Sequence, residues 1–249
     1  MKKFTKVLAA IMLMTAVIMT ACTQENDPNN NGNDNGGGNN SGGNGTYNGH
    51  DYVDLGLPSG TLWVTCNVGA NTPEGCGDYF AWGETETKSA FYENNYKYTA
   101  GQYHELTKYC LIEAFGYNGF VDNLTTLEPI DDAATANWGT GWCMPSWAQW
   151  EELRSETASM TWTSQNEMYG WLITGTNGNS IFLPVAGSRW AEEIGYIGTE
   201  GFYWSNQLYE DYYGFSNSPC YAYLDSKWIS RKEVGRWYGF TVRPVRSAQ

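Results

Sequence analysis

The chain has 249 residues, with 14 Lys and Arg against 27 Asp and Glu, a formal net charge of −13, and 16% Phe, Trp or Tyr. So acidic a surface makes nucleic acid and anionic lipid poor partners. No GxSxG, HExxH, CxxC or Walker-type loop occurs, and only two histidines are present, His50 and His104. Motif-borne hydrolase, zinc and phosphate-loop chemistry therefore has no support, and no catalytic residue is assigned.

The N-terminus sets Lys2, Lys3 and Lys6 before an apolar run from Val7 to Met19, then Thr20, Ala21 and Cys22. This is the pattern of a secretory leader, and the run falls short of the ~20 residues that a membrane-spanning helix needs. A cysteine at the first mature position resembles a bacterial lipobox, with Met19 where Leu is usual. The expectation is a signal peptide over residues 1–21 and a lipoprotein held to outer-membrane lipid through Cys22, since two or three acyl chains anchor firmly. Acids in the stretch TQEND (23–27) resemble the surface-export signal of Bacteroidetes lipoproteins, which implies display on the cell surface. Loss of the leader removes three lysines and no acid, which takes the net charge from −13 to −16.

Residues 28–45 read PNNNGNDNGGGNNSGGNG, where 15 of 18 are Asn or Gly. Such a run buries too little apolar surface to order itself, so residues 22–46 are expected to form a disordered tether. Residues 47–249 then form one domain, long enough for one sizeable core. Cys66, Cys76, Cys110, Cys143 and Cys220 remain once Cys22 is lipidated. In an exported chain this odd number allows at most two disulfides, with the pairing open.

Period-two apolar stretches predict strands at Tyr52–Leu55, Thr61–Val68, Asp78–Trp82 and Gly170–Thr174, with a hairpin turn at GTNGN (175–179). Further strands fit Phe202–Ser205, Cys220–Leu224 and Trp237–Val245. Two helices are predicted, over Asp131–Asn137 and Ser146–Arg154. The second opens on a Ser146/Gln149 capping box and sets Trp147, Trp150 and Leu153 on one face. Short antiparallel strands, two helices and long loops make the class α+β.

The blocks YVDLGLPSGTLW (52–63), GDYFAWGE (77–84), DDAATANWGTGW (131–142), MPSWAQWEEL (144–153), NGNSIFLPVAG (177–187), FYWSN (202–206) and VRPV (242–245) follow in order. In this the chain resembles the Fibrobacter succinogenes major paralogous domain over nearly all of residues 52–246. The resemblance implies a C-type-lectin-like fold, akin to that of the formylglycine-generating enzymes. Those enzymes use two late cysteines, whereas Cys220 is alone here in the last hundred residues. Calcium-binding lectins use Glu-Pro-Asn and Trp-Asn-Asp triplets, which Glu128-Pro129-Ile130 and Trp204-Ser205-Asn206 partly echo. No cofactor is expected, and calcium is the one ion that the resemblance leaves open. Cys143 stands where the family pattern has Arg, so disulfide pairing is not carried over.

Arg243 lies in a predicted apolar strand and is expected to meet Asp131 or Asp132 in a structural ion pair. The segment QLYEDYYGFSNSP (207–219) has no strand period and reads as a surface loop. Its Tyr209, Asp211, Tyr212, Tyr213 and Phe215, flanked in sequence by Trp190 and Trp228, are the candidate ligand platform. The expected function is non-catalytic binding of an extracellular glycan or protein. The alternatives are a structural or adhesive envelope protein and a degenerate enzyme of the formylglycine-generating type.

Overall fold

A computed structural model describes residues 43–247. The leader, Cys22 and the tether up to residue 42 lie outside the described residues. In chain order the strands are β1 (Gly45–Tyr47), β2 (His50–Asp54) and β3 (Thr61–Val64), followed by the helices α1 (Ala133–Trp138) and α2 (Trp147–Ser155). Then come β4 (Ser159–Gln165), β5 (Met168–Thr174), β6 (Ser180–Pro184), β7 (Ala186–Trp190) and β8 (Glu193–Ile197). The last are β9 (Gly201–Asp211), β10 (Gly214–Leu224), β11 (Ile229–Glu233) and β12 (Val245–Ser247). Strands dominate and helices are few, as an α+β reading requires.

The strands form three curled sheets, ordered β1-β2-β3-β12, β4-β5-β6 and β11-β10-β9-β7-β8. All pairings are antiparallel except that of β7 with β9. β1 begins at Gly45, and Asn44 Oδ1 accepts from Asp54 N at 3.1 Å, so the last residues of the expected tether belong to the folded body. The β5–β6 turn falls at the predicted glycine segment. Gly178 takes φ +87° there, and a Cβ on Gly175 would lie 1.9 Å from Leu55 O, so both positions require glycine.

Both predicted helices form within two residues of the expected bounds. Ser146 Oγ accepts from Gln149 N while Gln149 Oε1 accepts from Ser146 N, which is the capping box read from the sequence. Trp150 and Leu153 are buried, with Trp147 packed beside them. The predicted strands at Asp78–Trp82 and Trp237–Val245 are corrected: each contributes isolated bridges, such as Phe80 with Phe240, before β12 begins at Val245. The segment 207–219, expected as a loop, is the distal part of the β9–β10 hairpin.

From residue 65 to residue 132 the backbone has only bridges, turns and short 3-10 segments. Its carbonyls lack a ladder, and buried carbonyls need donors. Side chains supply them. Trp204 Nε1 donates to Phe80 O at 2.7 Å and Tyr96 Oη to Trp82 O at 2.8 Å, while Trp82 Nε1 donates outward to Ser205 O of β9 at 2.9 Å. Asn67 Nδ2 reaches Gly75 O and Cys76 O. The aromatic richness of the chain is thus partly a supply of N–H and O–H groups carried on large apolar bodies.

Arg243 is fully buried and meets neither Asp131 nor Asp132, which corrects the expected ion pair. Its Nε donates to Asn67 Oδ1 at 2.8 Å, its Nη1 to Val64 O and Thr65 O at 3.2 and 2.5 Å, and its Nη2 to Phe182 O at 3.0 Å. Main-chain carbonyls of β3, of Thr65 just after it and of β6 take the place of a carboxylate. The guanidinium joins β3 to β6, and therefore the first sheet to the third.

No bridge joins any two of the five cysteines expected to be available, since Cys66, Cys76, Cys110 and Cys220 are free thiols. Burial pushes Cys220 up to about 12 and raises Cys110 and Cys76, which keeps these sulfurs protonated. Iodoacetamide is expected to leave Cys110 and Cys220 unmodified in the native protein and to alkylate all four thiols after denaturation without reductant. Peptide mass spectrometry reads the result, and any of the four found in a disulfide would contradict the assignment.

Candidate functional site

A cavity of about 170 Å³ opens where the irregular segment, β10 and the chain before β12 meet. Its apolar lining is Tyr96, Tyr103, Leu106, Phe115 and Trp237, and its polar side chains are Glu93, Thr99, Asn217, Ser218 and Arg236. Tyr103 and Phe115 face each other at 6.0 Å between ring centroids. Glu93 accepts from Tyr103 N, which fixes the carboxylate at the cavity wall.

Arg236, also buried, holds this wall to the hairpin. Its Nε and Nη2 donate to Asn217 O at 2.9 and 2.7 Å, while Nη2 and Nη1 donate to Tyr109 O and Lys108 O at 2.5 and 3.0 Å. Burial lowers its pKa from the usual guanidinium range, opposed mainly by the nearby Tyr96 phenol. Asn217 Oδ1 accepts from Leu111 N at 2.8 Å, and the Asn217 Nδ2 is buried without an acceptor.

Behind the same segment lies a second polar cluster. Asp131 accepts from Lys97 at 3.1 Å, Lys108 at 2.6 Å, Tyr109 Oη at 2.8 Å, and Tyr98 Oη. Burial alone would raise its carboxyl, but the bonds from Lys108, Tyr98, Tyr109 and Lys97 outweigh this and hold it at about 2. Asp132 instead caps α1, with Oδ1 accepting from Ala134 N and Thr135 N and Oδ2 from Met144 N. Burial pushes it up to about 6 against those bonds. Both acids expected to face Arg243 are therefore fully engaged elsewhere.

The seven platform residues do not converge. Tyr212 and Tyr213 form the two-residue tip of the β9–β10 hairpin, 95% and 92% exposed, with Asp211 Oδ1 accepting from Tyr213 N at 2.7 Å. Phe215 lies opposite Glu210 just behind them. Tyr209 is covered by Arg231, whose guanidinium sits 4.6 Å from the ring centroid. Trp228 lies at the other end of the hairpin, beyond Leu224, and ten strand steps of ~3.3 Å put it roughly 30 Å from the tip. Trp190 packs with Tyr196 in the β7–β8 hairpin, centroids 5.6 Å apart.

The two triplets that echo lectin calcium ligands do come alongside, since Leu127 N donates to Asn206 O at 2.7 Å. The Glu128 carboxylate, however, is paired with Lys108. No group of three or more His, Cys, Asp or Glu suited to a metal ion occurs among the described residues. Nor is any helix among them long and apolar enough to cross a membrane. No family model, curated protein or solved structure matches the chain.

Sequence reasoning missed Glu93, Tyr103, Phe115 and Trp237, because the cavity is assembled from segments without periodicity. Asn217 lay in the segment singled out, but its aromatic neighbours drew the assignment.

Substituting Asp131→Ala would leave the Tyr98 and Tyr109 hydroxyls and the Lys108 ammonium without their shared acceptor, while Lys97, 46% exposed, turns to solvent, a loss on the order of 1–3 kcal/mol. The Asp131 carboxyl lies below its ordinary value of 3.8 in the folded state, so its stabilisation is present above that pH and lost as pH falls through about 2. Urea titrations of both proteins are expected to show a gap that narrows on acidification below pH 4. A gap independent of pH would refute the role given to the charge.

Proposed function

We propose that the protein is a surface-displayed outer-membrane lipoprotein, anchored through Cys22, whose C-type-lectin-like domain binds an extracellular glycan or protein without catalysing a reaction. One observation carries the binding reading: a ring-lined cavity has the flank of the β9–β10 hairpin as one wall, while the hairpin tip holds Tyr212 and Tyr213 out in solvent. Apolar walls with a few placed polar groups are what small-ligand sites are built from. At about 170 Å³ the cavity is below the ~300–1,000 Å³ of drug-sized sites. It suits one sugar ring or one side chain of a larger partner, with the tip making a second contact.

The ordered blocks from YVDLGLPSGTLW to VRPV support the family and the lectin-like fold, and the α+β architecture is compatible with both. The reading is non-catalytic because the sequence carries no motif of a catalytic nucleophile, base or metal set; His104, with its ring 5.0 Å from that of Tyr103, is taken as packing at the cavity mouth. A second reading, an adhesive envelope protein without a discrete ligand, is favoured by the dispersal of Trp190, Trp228 and the tyrosine tip over separate parts of the surface.

The anchor is tested by Cys22→Ser, which is expected to abolish lipid labelling and release the protein from the membrane fraction. An unmodified mature N-terminus elsewhere than Cys22 would overturn it.

Binding is tested by screening the full chain against immobilised glycans and extracellular-matrix proteins. Two variants are then compared: Tyr103→Ala at the cavity, and Tyr212→Ala with Tyr213→Ala at the tip. All three rings are at least half exposed, so each variant is expected to shift the melting temperature by only about 2–4 °C or less. Retention should fall about tenfold or more. Unchanged retention in both variants would favour the adhesive reading, and a collapse in melting temperature would show that the rings are core.

A further inference from the structure

Resting on the glycan reading above, we infer that the cavity is a subsite for the acetamido group of an N-acetylated sugar. One donor of the cavity lining is unpaired. Asn217 cannot be flipped to relieve it, because its Oδ1 already accepts from Leu111 N at 2.8 Å, so the amide nitrogen is the atom left without a partner. Buried donors without acceptors are rare in folded proteins, and each calls for something that completes it. Asn217 lines the cavity while its amide nitrogen is covered, so a ligand carbonyl completes the donor once a side-chain shift uncovers that nitrogen.

The rest of the lining narrows the ligand. Tyr96, Leu106, Phe115 and Trp237 offer apolar area and few acceptors, so a group bristling with hydroxyls would leave several of them unpaired. Glu93 and Arg236 balance one another in charge, which disfavours an ammonium or a carboxylate as the inserted group. An acetamido group matches each feature. Its methyl packs on the rings, its carbonyl accepts from Asn217 Nδ2, and its N–H donates to the Glu93 carboxylate. The half-exposed ring of Tyr103 is left at the mouth for the pyranose face.

The test is calorimetric titration of the full chain with oligosaccharides of N-acetylglucosamine and N-acetylgalactosamine, their de-N-acetylated forms, and the glucose and galactose counterparts. High salt removes the general attraction of an acidic chain for the free amines. N-acetylated ligands are expected to bind at least about tenfold more tightly than either comparison set, the scale of one hydrogen bond with its packing.

Asn217→Asp keeps the acceptor for Leu111 N and replaces the donor with a second acceptor. It should erase the preference while leaving the melting temperature near that of the parent. Equal affinity for the acetylated and hydroxyl forms would overturn the inference, as would an unchanged preference in Asn217→Asp. The ligand series alone decides the matter if that variant does not fold. Should none of these sugars bind while Tyr103→Ala still lowers retention in the wider screen, the acetamido assignment fails and the binding reading stands. No retention by any partner overturns both.

Discussion

Buried backbone carbonyls that no strand partner reaches have to be met by something, and in this chain the planar fork of arginine meets several at once. Arg236 and Arg243 are each buried, and each spends its N–H groups almost wholly on main-chain oxygens. The dipoles of those carbonyls stand in for a counter-ion. In return the guanidinium ties together segments far apart in sequence. Arg243 joins two sheets, and Arg236 holds the irregular segment against β10. Removing either fork would strand a set of carbonyls as well as a volume, so each is a point where polar satisfaction and packing are lost together.

The same constraint separates what was legible in the sequence from what was not. The Ser146/Gln149 capping box, the glycine turn at 175–179 and the alternation of Gly170–Thr174 are local signals, and the structure follows them. Arg243 was rightly placed as buried, but its partner was sought among acids because a sequence displays carboxylates and hides carbonyls. Asp131 was drawn off by Lys97, Lys108 and two tyrosines, none of which carries a pattern that points to it. The hairpin segment 207–219 was misread for a related reason. Past Leu208 it leaves the sheet, neither of its faces is buried, and without a buried face there is no alternation to read.

The candidate site lies where these two blind spots meet. One wall is an irregular segment whose shape is set by side-chain donors, and the other is the flank of a hairpin without periodicity. Glu93, Tyr103 and Phe115 converge on Asn217 and Trp237 where Arg236, and the bond from Leu111 N to Asn217 Oδ1, hold the irregular segment to β10. The cavity is thus a by-product of how carbonyls are satisfied, and its apolar lining is continuous with the small core cluster around Tyr96, Leu106 and Cys110.

The hairpin has a separate consequence. Its outer part, from Glu210 to Phe215, pairs only with itself, whereas its base is fastened by β11, Thr125 and Arg236. Folding of the body and chemistry of the tip are therefore nearly independent variables. Replacing the six outermost residues would alter what the molecule touches at almost no energetic penalty to the rest. A scaffold with that division can exchange its contact surface through short local changes, much as an antibody framework does, while the arginine-bound interior stays as it is.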